Sequence, residues 1–339
     1  MKKQLVECVP NFSEGRDKSV IDGIVKAIAD AATRDGRHVK VLHVDPGQAA
    51  NRTVVTFLGE PDAVCEAAFM GAAKAQELID MRRHHGEHPR SGAIDVLPLV
   101  PVEGISLEEC ATLARKLAAR MFTELGIPCY CYEAAAFVPE HRNLAACRSG
   151  EYEALPGKMA DPERRPDFCP AEYNETVARS GACNVGARNY LIAVNFNLDT
   201  KSADEAACIA REVREKGRKE GGVWIPGPLK GCKAIGWYIE EYGIAQVSMN
   251  ITDIDATPLH RAYEEVSARA AARGLHVTGT EIIGLVPLRV MLDAGRYFLE
   301  KKGCDTAVAD AELIGSAIES MGLSDLRPFI PEKKIIEYF

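Results

Sequence analysis

The segment MRRHHGEHPRSG, Met81 to Gly92, sets three histidines and three arginines between an apolar helical run and an apolar strand-like run. Histidine has an ordinary pKa near neutrality, so a loop of this kind, held by its flanks and open to solutes, suits proton transfer. Pro89 pushes His88 toward extended backbone and Arg90 follows two residues on, so an extended segment aims both side chains the same way. An imidazole beside a guanidinium is a base next to an anion clamp. The bland alternative is a solvated surface turn.

Read literally, His84 to His88 also satisfies the H-x-x-E-H pattern of inverted zinc peptidases. That chemistry needs a continuous helix to bring both histidines to one metal, and Gly86 and Pro89 break it. No metal is expected. GACNVGAR, Gly181 to Arg188, has the glycines of a phosphate loop but lacks its Lys-Ser/Thr pair and precedes a strand. Nucleotide binding is therefore rejected, while a turn whose N–H groups face a ligand carboxylate stays open. VDPGQAANRT places Asp45 after a strand and Asn51 and Arg52 at the start of the next, and Asn11 and Asn195 each end a strand in Asn-Phe. Asp45 reads equally as a turn-former before Pro-Gly, and the asparagines as caps. The basic loop REKGRKEGG reads first as a solvated turn, with attraction of a polyanionic ligand tail as the alternative.

These residues need a frame. The chain opens with a strand at 5–9, a helix at 18–32 behind Asp17, β-rich runs at 39–44 and 53–58, and an alanine-rich helix at 62–80. After the histidine segment come a buried strand, a helix at 107–125 behind the capping-box spacing Ser106–Glu109, and a strand at 128–132. The second half repeats the order with NYLIAVNFNL, a helix at 203–216, two strands in KAIGWYIEEYGIAQVSMNIT, a helix at 259–273, a strand near 280–286 and a terminal helix. Both halves read β-α-β-β-α-β, predicting an α+β fold of two similar ferredoxin-like subdomains. The polar, Pro-rich stretch 150–182 reads as the linker, dividing the chain into 1–182 and 183–339.

A formal net charge of −8 argues against a general nucleic-acid binder. No run approaches the ~18 apolar residues of a membrane helix, and Glu7, Pro10 and Asn11 interrupt any signal-peptide core, so no membrane partner and a cytoplasmic location are expected. The eleven cysteines are odd in number and lack a C-x-x-C pair, which suits reduced thiols.

The blocks LVECVPNFSEG, DPGQAANRTVVTFLGEP, HHGEHPRSGAIDVLPLVPV, CRSGEYEALP, GACNVGARNYLIAVNFNL, AIGWYIEEYGIAQVSMNI and EIIGLVPLRVMLDAG run in order along nearly the whole chain. Together they resemble glutamate formiminotransferase, the formiminotransferase part of the formiminotransferase-cyclodeaminase family. The resemblance implies two similar subdomains with a substrate cleft or tunnel between them, and a homodimer. It implies transfer of the formimino group from N-formimino-L-glutamate to N5 of tetrahydrofolate, a co-substrate, giving 5-formiminotetrahydrofolate and glutamate in histidine breakdown. His88 falls on the family's catalytic histidine and Asp45 on its assisting aspartate. The chain stops where the cyclodeaminase part would begin, so a separate cyclodeaminase is the expected partner for ring closure.

That chemistry agrees with the residues. N5 must lose a proton as it attacks the amidine carbon and the departing glutamate nitrogen must gain one, both tasks for a single imidazole. A carboxylate such as Asp45 stabilises the positive charge on the formimino group. Both substrates carry carboxylates, for which Arg52, Arg90 and Arg188 are candidates, with Asn11, Asn51, Glu87, Gly186 and Asn195 as further substrate contacts. The rivals are formyl transfer between 5-formyltetrahydrofolate and glutamate on the same scaffold, a zinc hydrolase, and a folate-binding protein without turnover.

Overall fold

Helix starts and strand patterns follow local chemistry closely. Asp17 accepts hydrogen bonds from the backbone N–H groups of Ser19 and Val20 and so opens α1, Lys18–Asp30. Ser106 and Glu109 form the complete reciprocal box at the start of α3, Leu107–Leu125, which Gly126 ends at φ 70°. The computed structural model describes residues 4–338, which divide after Asn189 into two compact units.

In the first unit β1 (Leu5–Cys8) and its continuation β2 (Asn11–Phe12) lie between β4 (Arg52–Gly59) and β5 (Ile94–Glu103), antiparallel to both. β3 (Lys40–Gly47) pairs with β4 on the outside. This is the ferredoxin-like order 4-1-3-2, with α1 and α2 (Pro61–Leu78) as its two connecting helices. The sheet then grows beyond that unit, because β7 (Cys183–Ala187) pairs parallel with β5 and with β6 (Cys129–Glu133). Val6, Cys8, Val55, Phe57, Leu97 and Leu99 face the core beneath the helices.

Two expectations change here. The boundary at 182 moves to 189, because residues 183–187 are an interior strand of the first sheet. The stretch 150–182 is not a linker. With the short helices α4 (Leu144–Cys147), α5 (Leu155–Ala160) and α6 (Glu175–Ser180), it covers Tyr130 and Tyr132 with Leu155, Met159 and Val177, and Phe168 exchanges backbone hydrogen bonds with Cys129. Its prolines and polar residues mark turns between these pieces, not a lack of packing.

The second unit repeats the arrangement. β8 (Ile192–Leu198) lies between β12 (Ile244–Ile251) and β13 (Val277–Ile283), and β11 (Cys232–Ile239) is the outer strand, all antiparallel. α7 (Ala203–Val213) and α8 (Leu259–Ala271) connect them, β9 (Arg218–Glu220) and β10 (Val223–Ile225) form a hairpin, and α9 (Leu288–Lys301) packs on α10 (Asp310–Met321), a helix the sequence reading lacked. The echoed Asn-Phe pairs occupy equivalent places on the first strand of each unit. Phe12 and Phe196 point into the two cores, which turns Asn11 and Asn195 to the opposite faces. Among the described residues no helix is long and apolar enough to cross a membrane, and all eleven cysteines are free thiols.

Candidate active site

In the first sheet the register sets out a polar face. Asp45 and Asn11 both pair with Val54, Asn11 pairs also with Val96, and Val96 with Asn184, so all of these side chains project away from the helices. Arg52, two residues before Val54, shares the face. Strand spacing puts Asp45 and Asn11 about 10 Å apart. Strict alternation along β5 would send Asp95 to the opposite side from Val96, into the helical core. A register shift intervenes: Asn11 pairs with Val96 and Phe12 with Ile94, leaving Asp95 as the extra, bulged residue that turns to the polar face.

Asp95 is 0% exposed. Its carboxylate accepts hydrogen bonds from Arg52 Nη1, from Arg148 Nη2 at 2.7 Å and Nε at 3.2 Å, and from the Ser91 N–H at 2.8 Å. Arg52 Nε donates in turn to Asn11 Oδ1 at 2.9 Å. Asn184 donates to the Asp95 carbonyl at 2.8 Å, while its buried Oδ1 has no hydrogen-bond partner among the described residues. Burial alone would raise the Asp95 pKa, but Arg148 and Arg52 beside it hold the carboxyl at about 2. Two guanidiniums on one carboxylate leave a unit of positive charge, and half-buried His88 stands within this field. Its Nδ1 lies 2.7 Å from the Pro89 carbonyl. Desolvation, followed by Arg52 and Arg148, pushes the His88 pKa well below 6.5. The imidazole is therefore neutral at pH 7, as a general base must be.

The rest of the histidine segment docks the loop. It is not helical: a single 3-10 turn ends at Arg83. His84 is buried with Nε2 2.8 Å from the Asn51 carbonyl, and the Glu87 N–H donates to the Ala49 carbonyl. Gly86 passes so close to the β3–β4 turn that a Cβ there would meet the Ala50 carbonyl oxygen at 2.3 Å. This geometry parts the residues of the zinc pattern, with His84 locked under the turn and Glu87 exposed. Among the described residues no cluster of three His, Cys, Asp or Glu could hold a metal ion.

The remaining candidates divide. Arg90 does not stand beside His88 as an anion clamp. It is buried with its guanidinium paired to Glu151 at 2.9 Å and Glu153 at 2.6 Å and its Nε donating to His84 Nδ1 at 3.4 Å, because the chain bends at Glu87 and His88 instead of running on extended. Asn51 takes a left-handed φ of 45°, accepts from the Gly15 N–H at 3.0 Å and donates to the His85 carbonyl at 2.9 Å, so both ends of its amide tie loops together. Gly186 lies within a strand, where a Cβ would meet the Tyr132 ring at 2.5 Å; close packing requires this glycine. The Asp45 carboxylate lies 3.6 Å from His43 Nε2. Arg188 lies against Tyr132 and, among the described residues, has no carboxylate partner. Asn195, in the second unit, donates to Glu281 at 3.1 Å. Sequence reasoning missed Asp95 and Arg148. A lone carboxylate within IDVLPLVPV was the available signal for the first, whereas Arg148 reaches the site only because the turn ending α4 presents it.

The fold and site define an α+β protein of two similar ferredoxin-like units with a neutral histidine in a cationic setting on one sheet face. Residues 5–188 match the N-terminal subdomain of the formiminotransferase domain and residues 193–339 match the formiminotransferase domain. The chain belongs to the formiminotransferase family. It is 40% identical to a glutamate formimidoyltransferase of Streptococcus pyogenes over 302 residues, 89% of this chain and 95% of that one. A glutamate formimidoyltransferase of Thermoplasma acidophilum is 41% identical over 303 residues, covering 89% and 94%. The formimidoyltransferase-cyclodeaminase of Sus scrofa is 44% identical over 335 residues, and the chain spans 60% of that longer protein.

Proposed function

We propose that this chain is a glutamate formimidoyltransferase, moving the formimino group from N-formimino-L-glutamate to N5 of tetrahydrofolate and releasing glutamate, a step of histidine degradation and one-carbon metabolism. The observation that carries the reading is His88, an imidazole kept neutral beside two guanidiniums that share one buried carboxylate. His88 accepts the proton that N5 loses as its bond to the amidine carbon forms. It returns that proton to the glutamate nitrogen as the old carbon–nitrogen bond breaks, so atoms and charge balance without a further reactant. Asp45, on the same face, opposes the positive charge of the formimino carbon. The surplus charge of the Arg52–Arg148 pair and the guanidinium of Arg188 receive substrate carboxylates. The protein works as a cytoplasmic homodimer, with a cyclodeaminase taking its product.

The test is an assay of chelator-treated protein with formiminoglutamate and tetrahydrofolate, following 5-formiminotetrahydrofolate by absorbance and glutamate by a coupled reaction. Equal yields of both are expected. Turnover only of 5-formyltetrahydrofolate with glutamate would replace formimino by formyl transfer, and silence with both donors would end the transferase reading.

A further inference from the structure

Within the second unit a cavity of about 470 Å³ opens between the end of α7 and the β9–β10 hairpin. Its walls carry five cationic side chains against two carboxylates, Glu212 and Glu220. Arg273 is paired with Glu212 at 2.7 Å and Arg218 with Glu220. The other three have no carboxylate partner among the described residues. Exposed Arg211 donates to the Cys208 sulfur, half-buried Arg214 donates to the Gly217 and Ala234 carbonyls, and Lys219 is exposed at the rim. The carbonyl end of α7 favours Arg211 and Arg214 beside it, which leaves Lys219 of the hairpin without such an offset. Trp224, 51% exposed, supplies an apolar wall, with Lys216 Nζ 5.2 Å from its ring centre.

Half-burying an arginine beside another arginine, with no counter-ion, is unfavourable unless something anionic completes the site. Burial and Arg211 both lower the pKa of Arg214, in keeping with that deficit. The cavity has the volume of a small-molecule site and several guanidinium forks, which bind carboxylate and phosphate alike. We propose that this cavity is an anion site for a multiply charged phosphate- or carboxylate-bearing small molecule that lies against Trp224.

Pyrophosphate and citrate serve as probes, titrated into the full-length protein at about 20 mM ionic strength, with tryptophan fluorescence and calorimetric heat as readouts. Saturable binding of one equivalent is expected for at least one of them. Affinity should fall at least tenfold in Arg211→Gln/Lys219→Gln, a variant that spares the carbonyl bonds of Arg214, and the fluorescence response should vanish in Trp224→Phe. Binding of pyrophosphate alone assigns the site to phosphates, and of citrate alone to carboxylates. No saturable binding of either, or equal affinity in the double variant with an unchanged melting temperature, overturns the proposal.

Discussion

Replacing Asp95 by Asn keeps the shape of the site and removes the one charge that holds Arg52 and Arg148 together. The side chain is fully buried and Arg52 nearly so, so the Arg52 guanidinium cannot turn to bulk water without rearrangement. Two routes give the size of the effect. Breaking a buried ion pair from one side costs about 3–5 kcal/mol. A carboxyl held at about 2 instead of 3.8 means that the fold favours its charged form by roughly 2–3 kcal/mol, the smaller figure because burial works against the arginines. A loss of about 2–4 kcal/mol in a unit of this size lowers the melting temperature of that unit by roughly 5–15 °C. The assay is thermal unfolding followed by circular dichroism at pH 7. The sign with pH is also fixed. A depressed carboxyl stabilises above its unfolded value and loses that contribution as pH falls through the folded one, so the gap between wild type and Asp95→Asn should close from pH 4 toward pH 2. Adding Arg148→Met to Asp95→Asn removes the unpaired neighbour and should recover part of the loss. A shift under 2 °C at pH 7, or a gap that widens in acid, would refute the buried-triad reasoning.

His88→Ala is expected to lower kcat by a hundredfold or more with the melting temperature nearly unchanged, since a general base contributes about 10²–10⁴; full activity would remove His88 from the mechanism. Because burial and the two arginines depress His88, the acid limb of kcat/KM should fall below pH 6.5, and Arg148→Met should move it upward. An acid limb at the ordinary histidine value in both proteins would contradict this. Arg188→Met should raise a substrate KM about 10–100-fold, the worth of a hydrogen bond to a charged group, without altering stability; an unchanged KM excludes it from the site. Gly186→Ala forces Cβ against the Tyr132 ring and should cost about 1–3 kcal/mol, read as a lowered denaturation midpoint.

Much of this protein was legible in one dimension because its signals are local. Alternation of apolar residues, the Ser106–Glu109 box and the repeated Asn-Phe at each first strand depend on neighbours a few residues away, and they specified two β-α-β-β-α-β units. His88 was singled out by Pro89 and Arg90, but the arginines whose field it feels are Arg52 and Arg148, which strand pairing and the turn after α4 bring there. Long-range pairing was not legible. That 183–187 crosses back to lie beside β5, that 150–182 packs instead of linking, and that Arg90 belongs to Glu151 and Glu153 all depend on contacts between residues far apart in the sequence, such as Phe168 with Cys129 and Arg90 with Glu151. Asp95 marks the boundary most sharply. Its place in an apolar strand was visible, but strand period alone would bury its charge under the helices. One residue of slip against β2 turns it to the other face, where Arg52 and Arg148 meet it, and only the pairing of strands in three dimensions could decide that.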